Sequence, residues 1–262
     1  MSVPPRPDVR RLVEAPLLGR LLAGRLVAGP RPADGLRVAA GLADAGSAVA
    51  VEHRPGAGDD ADEEFAALLA GVPSAGPLGN RRTFAGSCAL RTFAESCELT
   101  LPVDRLDEAR ALGAGAAAAG LGLALEGSAG RVEALLPDLP SARVVVGSEE
   151  RGAETRCRAL AGGRVRLRAG RGRGARLAFV RCLDVLMAGA GEPAVATSDL
   201  RLIAITGERA AWHGRSSESW EHVMPWGIRT AEQQRLAAAG STVRIAVPSG
   251  RGAVAAIPGS LR

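Results

Sequence analysis

A chain of 262 residues, 47% of them hydrophobic, is long enough to bury one large core, and a single α/β barrel domain occupies about 250 residues. The formal charge of +5 is carried by arginine against the carboxylates, because the sequence contains neither lysine nor tyrosine; Schiff-base catalysis by lysine and proton transfer by a tyrosine hydroxyl are therefore excluded. Every apolar stretch is broken well short of the roughly 18 residues a membrane span requires, and the opening MSVPPRPDVRR lacks the pattern of a secretory signal, so no transmembrane segment and a cytoplasmic setting are expected.

In chain order, residues 8–28 carry Leu and Val at three- and four-residue spacing with Arg between them, which predicts an amphipathic N-terminal helical segment over residues 1–30. Residues 31–262 then alternate short β-like runs with Ala-, Leu- and Arg-rich helical stretches, the pattern of consecutive βα units around a parallel sheet. The expected strands are Ser47–Glu52, Glu98–Val103, Gly122–Glu126, Ala142–Val146, Arg164–Arg168, Ala194–Thr197, Trp220–Met224 and Val243–Val247. Eight strands close a barrel, so the expected fold is an α/β protein of the (β/α)8 TIM type. Helices are expected at Asp104–Ala119, Gly152–Ala161, Arg176–Ala188 and Thr230–Ala239. Residues 55–95 are the weakest stretch: GAGDDADEE reads as an acidic loop or helix start and PSAGPLGN as a turn.

After the eighth strand the chain continues only with SGRGAVAAIPGSLR. A barrel lacking its final helix is expected, with that face open, covered by the N-terminal helix, or covered by another chain, whether a partner or a second copy.

Cys88, Cys97, Cys157 and Cys182 form no CxxC pair and no Cys/His ligand spacing, and Cys88 and Cys97 owe their separation to the near-repeat RTFAGSCAL–RTFAESCEL; packing thiols are expected. His53, His213 and His222 belong to no metal-ligand array, though His53 and His222 both fall on expected strands. The arginine-rich run RVRLRAGRGRGAR at 164–176 fits a strand and its following loop better than a nucleic-acid grip.

Several segments together resemble the proline dehydrogenase family, of actinobacterial type. They are RLVAG at 25–29 with the helix DGLRVAAGLADAG and the strand SAVAVEH after it, CELTLPVDRL at 97–106, GLALEG at 122–127, CRALAGGRVRLRAG at 157–170, RCLDVLMAGAGEPAVATSDLRLI at 181–203 and WEHVMPWGIRTAEQQRLAAAGSTVRIAVPSG at 220–250. The resemblance runs in order over residues 25–250. It implies a barrel with FAD over the C-terminal ends of its strands and a small amino-acid or imino-acid ligand oxidised there.

By that resemblance Arg166 stands where the family has its flavin-side arginine, and Arg166, Gly170, Thr197 and Ser198 are the positions that would contact FAD. Arg168 or Arg171 would have to supply a displaced charge for the pyrophosphate. Other family positions are changed. A fifth-strand lysine and tyrosine are missing, Gly147–Ser148–Glu149 replaces Gln-Ala-Tyr, Pro102 replaces a lysine, and Ser198 and Val223 replace a histidine and a glutamine. Glu126 stands for an aspartate, and the last helix with its carboxylate-clamping arginines has no counterpart. The expectation is a degenerate homologue that has lost proline oxidation and keeps a partner or ligand-binding role. The alternative is an active FAD-dependent oxidoreductase acting on proline or a related amine.

Overall fold

The structure is a computed structural model, and it describes residues 26–72, 96–104, 106–172 and 174–253. The expected N-terminal helix, the near-repeat with Cys88 and the tail beyond residue 253 lie outside the described residues. The elements are α1 (Pro32–Asp44), β1 (Ala48–His53), α2 (Ala61–Ala70), β2 (Cys97–Pro102), α3 (Leu106–Ala118), β3 (Gly122–Glu126), α4 (Ala129–Leu135), β4 (Arg143–Gly147), α5 (Ala153–Leu160), β5 (Arg164–Arg168), α6 (Ala175–Ala188), β6 (Glu192–Ala196), α7 (Leu200–Trp212), β7 (Glu221–Pro225), α8 (Thr230–Ala238) and β8 (Val243–Ser249). All eight strands pair in parallel, in chain order, and β8 closes on β1.

Each expected strand is present, with ends shifted by no more than two residues. A two-residue shift occurs at the start of β6 and at the end of β8; β6 runs Glu192–Ala196, so Thr197 lies in the loop after the strand. Two helices not read from the sequence are α4, a short GRVEAL turn, and α7, which starts where the Asp199 carboxylate accepts from the Arg201 amide at 2.9 Å. The acidic stretch after β1 resolves into a loop and then α2, whose first amides, Asp62 and Glu63, are capped by Asp60.

The β8–β1 face is covered by α1, which packs on both strands. Gly35 makes this close approach, since a Cβ there would meet the Ser249 side chain. At the same seam Gly250 has φ +95°, and any side chain would collide with the Arg54 carbonyl.

Strand residues alternate between two environments. Val49, Val51, Leu99, Leu101, Leu123, Leu125, Val165 and Leu167 face the helices and join Phe65, Phe179, Leu183 and Leu186 in the main core. Ala194, Val223 and Ala246 form a smaller cluster of side chains from β6, β7 and β8. The charged residues of the intervening positions pair with one another across the barrel, as described below. Among the described residues no helix is long and apolar enough to cross a membrane.

His222, on β7, is 2% exposed and packs edge-on against Trp220. Burial pushes its pKa down to about 4 from the ordinary 6.5, with Arg235 assisting and Glu232 opposing. The folded state therefore refuses a proton that the unfolded chain accepts. Its contribution to stability is complete above pH 6.5 and is lost as pH falls through 4. Denaturant titrations should show this window costing about 3 kcal/mol on acidification. The variant His222→Phe should have a flatter profile across it; parallel profiles would contradict the assignment.

Candidate active site at the barrel mouth

Arg166 sits in the middle of β5 with its guanidinium inside the barrel, and only 2% of the side chain is exposed. Its Nη1 donates to Glu52 Oε1 and to Thr100 Oγ1, both at 3.0 Å, and its Nη2 donates to Glu98. Those partners come from β1 and β2, across the barrel from β5. Its Nε, buried, has no protein partner.

Below this contact the charges continue. Arg143 on β4 donates from Nε to Glu98 Oε2 at 3.0 Å, and its Nη2 lies 3.1 Å from Glu221 Oε1 on β7. Arg244 on β8 donates from Nε to the same Glu221 oxygen at 2.9 Å and from Nη1 to the Val49 carbonyl at 2.9 Å. Burial would raise the Glu98 pKa, but Arg166, Arg244 and Arg143 together hold it down at about 2. Arg244 is raised in turn: burial opposes its charge, while Glu221 and Glu98 favour it. The interior is thus a lattice, reaching from β1, β2, β4 and β5 to β7 and β8, in which each charge is desolvated and compensated by neighbours.

A second layer stands at the C-terminal mouth. Glu126, the last residue of β3, accepts from Arg54 Nη2 at 3.0 Å through one oxygen and from Arg168 Nη1 through the other. Burial opposes its ionisation, yet Arg54 and Arg168 hold its pKa below the ordinary value. Arg168 Nη2 also lies 4.0 Å from Glu149 Oε1. Arg54 follows β1 and Arg168 ends β5, so a single carboxylate from β3 bridges the mouth between them.

The residues expected to contact FAD divide into two groups. Gly170, Thr197 and Ser198 lie in the loops after β5 and β6, at the C-terminal end of the barrel. Gly170 donates its amide to Ser148 Oγ at 2.8 Å, and a Cβ there would collide with the Glu149 side chain. Thr197 donates its amide to Val223 O at 3.3 Å, and its hydroxyl oxygen accepts from the Asp199 amide at 3.2 Å. Arg166 lies deeper, bound to the interior lattice. Arg168, considered for a pyrophosphate, is committed to Glu126.

In the run 164–176, Arg164 pairs with Glu192 at 3.1 Å and Arg176 with Asp199 at 2.9 Å. His53 and His222 lie on strands separated by β8. His53 Nδ1 is 2.9 Å from Ser249 Oγ and its Nε2 is 2.8 Å from Glu64 Oε2. This Ser–His–Glu chain of contacts ties β1 to β8 and α2; His53 and Ser249 are buried, Ser249 under Gly35, while Glu64 reaches the surface in part. Cys157 and Cys182, on α5 and α6, are free thiols buried in the main core. Among the described residues no cluster of His, Cys, Asp and Glu is arranged to hold a metal.

FAD requires cations for its diphosphate. At the mouth the partly exposed guanidiniums of Arg54 and Arg168 already share a carboxylate, and Glu149 packs where Gly170 would leave space. As they stand, these residues do not fit a dinucleotide diphosphate.

This architecture is a closed (β/α)8 barrel. Solved structures with the same fold include proline utilization A from Bdellovibrio bacteriovorus inactivated by N-propargylglycine, with a TM-score of 0.72 and 14% identity over 92% of this chain and 32% of that one. A Bradyrhizobium japonicum proline utilization A mutant gives 0.66 and 16% over 100% and 34%. Proline utilization A from Corynebacterium freiburgense gives 0.63 and 12% over 96% and 31%. The chain thus spans about a third of the length of these proteins, and at such identities the likeness is one of fold. No family model and no curated protein matches the sequence.

Removing the central carboxylate of the lattice would leave Arg143 and Arg166 short of a partner. Glu98→Gln should lower the unfolding free energy by about 3–5 kcal/mol, and the exposed control Glu218→Gln should stay near wild type. A loss below about 1 kcal/mol in urea titrations would show that the lattice is not integral to the fold.

Proposed function

We propose that this chain is a proline-dehydrogenase-like barrel that has lost FAD-dependent oxidation of L-proline and serves as a binding partner or ligand-binding subunit. The observation that carries the reading is the state of Arg166: the one arginine the family resemblance puts beside the flavin is buried and bound to Glu98, Glu52 and Thr100. Catalysis by hydride transfer needs groups preorganised toward the reacting atoms. A guanidinium satisfied by protein carboxylates inside the barrel is directed elsewhere.

The neighbouring positions support the same reading. Pro102 and Gly147 end β2 and β4 at the mouth, Ser198 follows β6, and Val223 belongs to the small apolar cluster with Ala194 and Ala246. None of the four offers the amine, amide or imidazole that the family uses there. What remains is a rigid barrel with a charged, self-compensated mouth.

The test is an anaerobic titration of FAD-supplemented protein with L-proline, run beside an intact proline dehydrogenase and followed by flavin bleaching. The expected outcome is no reduction on the time scale of the control. Bleaching at a comparable rate would establish the other reading, an active FAD-dependent oxidoreductase.

A further inference from the structure

We infer that Glu126 and Glu149 are the residues that bar a nucleoside diphosphate from the barrel mouth, and that their charge, not the absence of cations, determines this exclusion. The inference deepens the proposed loss of flavin chemistry and rests on the same barrel mouth. Arg54 and Arg168 retain 47% and 40% side-chain exposure, so both reach solvent where a ligand would arrive. Both end on Glu126, whose two oxygens are each used, one per arginine. A diphosphate approaching either guanidinium must first displace that carboxylate, and the displaced carboxylate would be left partly desolvated beside the phosphate.

Glu149 adds a second barrier. Its side chain fills the space over Gly170, the one position after β5 with neither a side chain nor a positive φ to demand glycine for backbone reasons. It also brings its carboxylate to 4.0 Å from Arg168. A backbone amide exposed at such a glycine is an anion-binding group. Here the Gly170 amide donates to Ser148 Oγ, and the approach over it is occupied by a negative charge. The cations of a phosphate site are therefore present, and two carboxylates neutralise them.

Glutamine in place of each glutamate keeps size and shape and removes the charge. The experiment measures binding of ADP and of FAD to wild-type protein, Glu149→Gln, and Glu126→Gln/Glu149→Gln by calorimetry at low and high salt, with circular dichroism and thermal melting to establish folding. The double variant should bind ADP at least about tenfold more tightly than wild type, with the gain reduced at high salt. Adding Arg168→Gln to the double variant should remove the gain. Should the double variant fail to fold, Glu149→Gln alone, at an exposed side chain, should still show a smaller gain of the same salt dependence.

Folded variants with wild-type affinity would overturn the inference, as would wild-type protein that binds ADP as tightly as the double variant. Proline oxidation is read separately. Wild-type protein inert to proline, with variants that gain nothing, refutes the assignment of Glu126 and Glu149 alone, whereas flavin bleaching by wild type refutes the functional reading.

Discussion

The structure depends on a lattice of guanidinium–carboxylate pairs inside the barrel. Barrels of this class are ordinarily filled by layers of branched apolar side chains. Here β1, β2, β4, β5, β7 and β8 send Glu52, Glu98, Arg143, Arg166, Glu221 and Arg244 into contact with one another. Long arginine arms need room, and the small side chains of Ala194, Val223 and Ala246 on the facing side give it. Desolvated charges are tolerable only when paired, so each strand's register is tied to the others. A shift of one residue in any of these six strands would exchange a charged interior position with an apolar one packed on the helices.

That arrangement explains which part of the fold was legible. The sequence at 164–168, RVRLR, alternates charge with Val165 and Leu167, and alternation predicts a strand whatever the charged face meets. Strand positions followed, and closure followed from their number. The identity of the faces did not. In an isolated sheet the charged side of RVRLR would be the solvated one, whereas in a closed barrel Arg166 points inward and the apolar side is covered by helices. Charged residues at alternate positions in several strands, among them Glu98, Arg143, Glu221 and Arg244, were the available signal. It requires the closed barrel before it can be interpreted.

The β8–β1 seam shows a different limit. With no final helix expected after β8, that face was expected to be open, covered by the N-terminal helix or covered by another chain, and the helix that packs on β8 and β1 is Pro32–Asp44, which precedes β1 in the chain. Gly35 in that helix, Ser249 at the end of β8, and the contact of His53 with Ser249 and Glu64 form one joint. These residues are separated by nearly the whole chain, and nothing local marks them. Among the expected site residues, Gly170, Thr197 and Ser198 lie at the mouth, while Arg166 was legible as a position and not as a partner: its carboxylates, Glu52 and Glu98, come from β1 and β2, far from it in the chain.

The same chemistry that holds the barrel also sets its functional character. An arginine can stabilise charge on a ligand or on its own protein, and the balance is decided by which carboxylates stand nearer. The most direct test is a double-mutant cycle on unfolding free energy with Glu98→Gln, Arg166→Met and the pair. If Arg166 belongs to the interior lattice, the two substitutions should be coupled by about 2 kcal/mol. Additive effects, with coupling within about 0.5 kcal/mol of zero, would mean that Arg166 is not held by Glu98, and the account of the site would be wrong.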